Sequence, residues 1–274
     1  MPALPSLDTP SAHTECFCVR KNVSRYRGHS GRAVREFGVP VSKFSQNLES
    51  HNKLNNSVRF STLKQRSITG LFFGGIILGT FYFLPEHVFS GLLAICWLWI
   101  LWCEWPVLCA RVTWLWWLTP IYPVLPCLAL ILLNESGATR SWLGWLIILA
   151  YVHDTAAYVA GNLMGRHVLA PKISPNKTWE GVIAGLVSAI ALLYYLCDRA
   201  ISVWAVVLLA IIISFLFISG DLFESWLKRS AGLKDSGSLL PGHGGLLDRF
   251  DGLLFAGTGL LILIRFHLID FLMR

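Results

Sequence analysis

From residue 68 onward the chain alternates long apolar runs with short polar stretches. The runs are ITGLFFGGIILGTFYFL (68–84), VFSGLLAICWLWILWC (88–103), VTWLWWLTPIYPVLPCLALILL (112–133) and SWLGWLIILAYVHDTAAYVAGNLMG (141–165). Three more follow: WEGVIAGLVSAIALLYYLC (179–197), ISVWAVVLLAIIISFLFISGDLFESWL (201–227) and LLFAGTGLLILIRFHLIDFL (253–272). Each is close to the roughly 20 residues that carry a helix across a 30 Å hydrocarbon core. The third is broken by Pro120, Pro123 and Pro126, so it predicts either one kinked helix or two short segments. The sixth ends in charged residues and must leave the hydrocarbon before it stops. No internal repeat is visible. The pattern predicts an all-α polytopic membrane protein with about seven transmembrane helices joined by cytoplasmic polar loops.

Composition agrees. The 274 residues are 54% hydrophobic and only 14% charged, with 12 Trp and a mean hydropathy of +0.57. A soluble domain carries about a quarter charged residues. Seven cysteines (Cys16, Cys18, Cys96, Cys103, Cys109, Cys127 and Cys197) include no C-x-x-C, and they read as small hydrophobes. The tryptophans of 97–117 read as an interfacial belt and packing residues.

Residues 1–66 differ: they are polar, rich in Ser and Asn, and hold 11 Lys/Arg. They contain no apolar run of signal-peptide length. The expectation is a basic, disordered cytoplasmic extension over 1–62, although 13–35 has some transit-peptide character. A transmembrane region over 63–135 and a catalytic transmembrane region over 136–274 complete the expected organisation.

The net charge of +7 changes the picture through its distribution. With seven spans and an inside N-terminus, the inside segments are 1–67, 104–111, 166–178 and 228–250, and they hold 19 of the 23 Lys/Arg. Cytoplasmic loops carry such an excess, so the basic residues report topology, and no nucleic-acid partner is expected. The polar loops 166–178 and 228–250 then share the cytoplasmic face.

Candidate chemistry collects there. Carboxylates within or beside a membrane are costly and are usually kept for function. Asp154 falls inside the fourth run, Asp221 and Glu224 near the end of the sixth, and Asp248 and Asp251 at the start of the seventh. If 219–229 is helical, Asp221, Ser225 and Lys228 share one face. A divalent cation relieves the repulsion among such carboxylates, and Mg²⁺ binds carboxylates together with substrate phosphates. Gly242, Gly244 and Gly245 allow backbone N–H groups close to phosphate oxygens. Lys228, Arg229, Lys234 and Arg249 neutralise more phosphate charge. The loop 165–181 adds Arg166, Lys172 and Lys177, with Ser174-Pro175 and Thr178 leading into a helix start that suits an anion.

Plainer readings compete. Lys172 and Lys177 serve topology alone in one of them, and Asp154 is a buried group bonded to a neighbouring helix. Glu104 and Glu180 read as interfacial, and His153, His167 and His267 as packing or interface residues. For His243, a ligand, a phosphate donor and a turn residue all remain open.

The stretch SWLKRSAGLKDSGSLLPGHGGLLDRFD (225–251) resembles the signature of phosphatidate cytidylyltransferases, the CDP-diacylglycerol synthase family. Ser225, Lys228, Arg229, Lys234, Asp235, Pro241, His243, Gly244, Gly245, Asp248, Arg249 and Asp251 fit it without a gap. GDLFES before it, HDTAAYVAGNLMGRH (153–167), SPNKTWEG (174–181) and LKQRSITGL (63–71) resemble other blocks of the family, so the resemblance covers roughly 63–274. It implies transfer of CMP from CTP to phosphatidic acid, giving CDP-diacylglycerol and pyrophosphate, with Mg²⁺ as cofactor.

Carried over, Asp221 and Asp248 are the foremost metal ligands, with Asp154, Glu224 and Asp251 behind them. Asp221, Asp248, Lys228 and Arg229 are the catalytic set. Lys177, Ser174, Ser225, Lys234, His243, Gly244, Gly245 and Arg249 bind CTP or the lipid phosphate. The implied partners are CTP, phosphatidic acid and membrane lipids. The implied location is the inner (cytoplasmic) membrane with the site facing the cytoplasm. Oligomeric state is open, a homodimer being one arrangement. A CTP-dependent polyprenol kinase or an archaeal-type CDP-lipid synthase is the nearest rival. A cation-coupled transporter using Asp154, Asp221 and Asp248 would leave the glycine-rich basic loop unexplained.

Overall fold

A computed structural model describes residues 74–135, 137–197, 201–237, 239 and 244–269. The expected extension 1–62 and His243 lie outside these residues. All of the described residues belong to one unit of the chain.

Five helices among the described residues are long and apolar enough to cross a membrane, and a shorter apolar helix, α1 (Gly74–Phe83), precedes them. The five are α2 (Glu86–Arg111), α3 (Leu115–Asn134), α4 (Gly137–Met164), α5 (Trp179–Leu196) and α6 (Val203–Ser230). A last helix, α7 (Leu247–Arg265), carries the C-terminal side of the site. The architecture is helical as expected, with one addition. The loop after α4 contains a small antiparallel hairpin, β1 (Val168–Ala170) and β2 (Ser174–Thr178), which pairs Val168 with Thr178 and Ala170 with Ser174.

The breaks in α2 and α3 have covalent causes. Proline lacks an N–H, and its ring displaces the carbonyl four residues back. Pro106 follows a π-helical turn at Ile100–Glu104. Pro120 and Pro123 lie in a second one at Pro120–Val124, where Tyr122 is extended at φ −148°, ψ 119°, as expected of a residue before proline. The third apolar run is therefore broken at Tyr122, where two helical segments meet across a kink. Segment 104–111, expected as an inside segment, is helical and continues α2.

The bundle closes around buried side chains from every helix, including Trp105, Tyr122, Leu146, Leu193, Leu227 and Leu254. Small residues set its closest approaches. A Cβ at Gly181 would lie 2.7 Å from the Ala157 carbonyl oxygen, which locks α5 onto α4. Without a strong hydrophobic force between helices in lipid, such small-residue contacts carry association.

Candidate active site

Three helix ends and the hairpin meet at one end of the bundle. The α6 end is built by a left-handed glycine. Gly232, at φ +68°, turns the chain so that the Leu233 N–H donates back to the Lys228 carbonyl at 2.8 Å, a common helix termination. Lys228 and Arg229 occupy the last turn, where cations complement the helix dipole. At α5, the Thr178 hydroxyl accepts from the Gly181 N–H at 3.2 Å and caps the helix. The residue before it, Lys177, is thereby delivered to the site by the end of β2.

The acidic residues fall into two groups. In the inner group, the Lys228 ammonium donates to Glu224 Oε2 at 2.8 Å and to Asp248 Oδ1. Glu224 is fully buried, and its other oxygen, Oε1, has no hydrogen-bond partner. Asp248 Oδ2 accepts from the Gly245 N–H at 2.7 Å and the Ser236 N–H at 3.0 Å, with the Ser236 hydroxyl also at 3.0 Å. Gly244, at φ +82°, has no room for a side chain, because a Cβ there would lie 2.5 Å from Asp248 Oδ2.

In the outer group, Lys177 pairs with Asp221 Oδ2, and the Ser225 hydroxyl lies 3.4 Å from Asp221 Oδ1. Both charged side chains are partly exposed, Lys177 at 26% and Asp221 at 34%. Asp251 sits where it feels the charges of Asp221, Lys177 and Asp154, and Glu224 in turn feels those of Asp251 and Asp248. The two groups are thus one electrostatic cluster divided by its lysines.

Asp154 is 78% exposed on α4, with one oxygen 3.3 Å from the His153 ring, so it is an open-side member of the cluster and not a buried bridge between helices. Arg229 donates to the Ile173 carbonyl at 3.3 Å and the Leu233 carbonyl at 3.0 Å. It ties the hairpin turn to the loop after α6. Lys234 and Arg249 are exposed, and Ser174 opens β2. Gly244 and Gly245, expected beside phosphate oxygens, lie against the Asp248 carboxylate.

Mg²⁺ fits part of this arrangement. Among the described residues, no three His, Cys, Asp or Glu side chains gather at ligating geometry. Mg²⁺ needs only one or two carboxylates when substrate phosphates and waters complete its shell. Asp221 has Lys177 and Ser225 on its oxygens but is 34% exposed, against 7% for Asp248, so it is the carboxylate open to such a shell, with Asp251 and Asp154 near it. Asp248 is not open to it while Lys228, Ser236 and Gly245 hold both of its oxygens.

Two site residues escaped the sequence reading. Ser236 stands in the signature stretch without any charge or spacing to mark it. Glu104 was read as interfacial, yet it is 2% exposed, and its carboxylate accepts from the Leu246 and Leu247 N–H groups at 2.6 and 2.8 Å. The only sequence signal for it is a lone carboxylate two residues before a helix-breaking proline.

A membrane-embedded helix bundle that draws lysines and carboxylates to one end, beside glycine-lined backbone, defines the class to which this chain compares. Residues 110–267 match the cytidylyltransferase family, and the chain belongs to that family. Over 125 residues it is 45% identical to a phosphatidate cytidylyltransferase of Staphylococcus haemolyticus, covering 43% of this chain and 48% of that protein. Over 116 residues it is 49% identical to a phosphatidate cytidylyltransferase of Brucella suis biovar 1, covering 42% of this chain and 43% of that protein. The chain spans about half the length of the curated relatives it matches.

Proposed function

We propose that this protein is a CTP:phosphatidate cytidylyltransferase, which transfers CMP from CTP to phosphatidic acid and releases pyrophosphate. The observation that carries the reading is the convergence of Lys177, Lys228 and the carboxylates of α6 and α7 at one end of an apolar bundle, within a segment of the cytidylyltransferase family. A nucleotide and a lipid headgroup meet only at a membrane surface, and the site is at helix ends.

In the reaction, a phosphate oxygen of phosphatidic acid attacks the α-phosphorus of CTP. The bond from that phosphorus to the bridging oxygen breaks, and pyrophosphate leaves. Such transfer asks the protein for positioning and charge neutralisation, with no side-chain nucleophile. Lys177, Arg229, Lys234 and Arg249 would hold phosphate charge, with Ser174, Ser225 and His243 as further contacts. Lys228, clamped between Glu224 and Asp248, keeps the start of α7 against the end of α6. Asp221 and Asp251 would hold Mg²⁺, with Asp154 and Glu224 as the further carboxylates of the cluster, while Asp248, whose oxygens Lys228, Ser236 and Gly245 hold, would fix the loop beside them. When bound, the ion would neutralise phosphate charge and favour departure of pyrophosphate. The same reading places the site on the cytoplasmic side of the inner membrane, and the excess of Lys/Arg in the polar loops supports it.

The test is direct. Purified protein supplied with CTP, MgCl₂ and phosphatidic acid in detergent micelles should release pyrophosphate and form CDP-diacylglycerol in equal amounts. Asp221→Asn, at a partly exposed position, should fold and lose this activity. No turnover with any phosphatidic acid would end the proposal, and full activity in Asp221→Asn would end the metal assignment.

A further inference from the structure

We infer that Glu104, which precedes the family-matched segment, is a positioning residue for this site: a carboxylate from α2 that seats both the start of α7 and the loop that holds Asp248. The inference rests on the phosphoryl-transfer reading above. The first N–H groups of a helix lack partners within it. In α7 the residue before the helix is Leu246, which has no side-chain oxygen and makes no side-chain cap. Glu104 supplies what is missing from another helix. Its Oε1 accepts from the Leu246 N–H and its Oε2 from the Leu247 N–H. An anion is also favoured there by the helix dipole.

The same carboxylate reaches the loop. Ser236 Oγ lies 3.1 Å from Glu104 Oε2 and 3.0 Å from Asp248 Oδ2. One hydroxyl proton serves one of these acceptors at a time, so Ser236 links the two carboxylates. The surroundings are shaped to the Glu104 side chain. A Cβ at Gly237 would lie 3.1 Å from its Cγ and Cδ, and one at Gly245 would lie 2.6 Å from Oε2. Glu104 itself sits at the end of the π-helical turn Ile100–Glu104, and inserted π turns often mark functional positions. The turn carries Glu104 to a buried place, where it is 2% exposed. It acts through Ser236, Gly245 and the first turn of α7, and these set where Asp248 stands relative to Lys228 and where α7 carries Asp251.

Glu104→Gln keeps the shape and removes one acceptor. With CTP and phosphatidic acid, kcat should fall about 10- to 100-fold, as is typical of residues that orient a ligand set. KM for phosphatidic acid should stay unchanged while the Mg²⁺ concentration for half-maximal rate rises. Combined with Ser236→Ala, the losses should be smaller than additive, because both act through one linkage. Limited trypsin cleavage after the exposed Lys234 should become faster in Glu104→Gln, with or without MgCl₂, since the loop loses its anchor. Should Glu104→Gln fail to insert, Gly237→Ala, whose Cβ crowds the carboxylate, should shift kcat and cleavage in the same directions. Wild-type kcat and Mg²⁺ dependence in a folded Glu104→Gln protein, even one that melts earlier, would overturn the inference. So would unchanged cleavage at Lys234. If the wild type makes no CDP-diacylglycerol, the proposed function fails, and the cleavage comparison still decides whether Glu104 anchors the loop.

Discussion

Gly220 on α6 lies against Gly252 on α7 with no space for a side chain between them. A Cβ at Gly220 would stand 2.5 Å from the Asp251 carbonyl oxygen and 3.0 Å from the Gly252 Cα. The residues beside this crossing are Asp221 and Asp251, so a backbone-to-backbone contact sets the spacing of two candidate metal ligands. Gly220→Ala must push the helices apart. The expected result is a loss of about 1–3 kcal/mol, the usual cost of overpacking, together with a strong loss of kcat. Gly259→Ala is the matched comparison on the same helix pair. The nearest atoms to its Cβ would be those of the Leu216 side chain, at 2.3 Å, which can swing aside. Thermal melting in detergent and a CTP turnover assay would separate the two, and equal effects would contradict the argument.

Lys177 and Asp221 form an ion pair in which both side chains remain partly exposed. Pairs of this kind contribute about 0–1 kcal/mol to stability, since solvent screens them. Lys177→Ala should therefore leave the melting temperature nearly unchanged. Activity should respond differently: without its ammonium, phosphate charge in the site is less well neutralised, and KM for CTP should rise. A variant that melts well below the wild type, with normal KM, would show that the pair is structural instead.

The sequence announced the bundle and the chemical inventory more clearly than the wiring. Apolar runs of membrane-crossing length are a local signal, and α2 to α6 follow it, as does the kink that Pro120 and Pro123 impose on α3. The signature residues Lys228, Asp248 and Gly245 were legible because their types and spacing are chemical. Which group each one touches was not legible. Gly245 looked like a phosphate contact and donates to Asp248. Nothing in its type or spacing showed that Arg229 bonds the Ile173 and Leu233 carbonyls. Glu104 illustrates the reason: it lies more than 140 residues along the chain from the α7 amides it accepts, and only tertiary packing brings them together. The hairpin at 168–178 was missed because its strands are three and five residues long, too short for alternation to emerge.

Lys228 is nearly buried between two carboxylates, and its partners are not equivalent. Removing one member of a buried pair strands the other charge, at about 3–5 kcal/mol. Lys228→Met strands both Glu224 and Asp248 and should be the most destabilising substitution at the site, with activity abolished. Glu224→Gln keeps an oxygen for Lys228 and removes a buried charge whose second oxygen had no partner. It should cost much less stability, and Glu224→Gln should retain a folded, CTP-binding protein. Chemical denaturation in detergent would rank the two, and the reverse order would refute this account of the triad.

Arg140 is one of the four Lys/Arg outside the segments 1–67, 104–111, 166–178 and 228–250, and its geometry explains why it is there. Its guanidinium donates to Asn134 Oδ1 at 3.0 Å, to the Phe81 carbonyl at 2.5 Å and to the Leu84 carbonyl at 3.1 Å, and it lies 4.7 Å from the centre of the Phe81 ring. The carbonyls at the end of α1 lack partners within the helix, and Arg140 on α4 supplies donors to them. Asn134, fully buried, extends the link to the Glu86 carbonyl and the Ser90 hydroxyl, both at 2.8 Å. Hydrogen bonds to a charged group contribute about 1.5–3 kcal/mol each at most sites, so Arg140→Met should lower stability by at least that amount. Arg140→Lys keeps the charge but has no planar fork to span acceptors on separate segments. It should be destabilised almost as much, which distinguishes the geometry of the guanidinium from its contribution to topology. Neither variant should change kcat per folded molecule, because none of these partners belongs to the active-site cluster. Melting curves and turnover measured on the same detergent-purified samples would check both halves, and a wild-type melting temperature for Arg140→Lys would show that charge alone suffices.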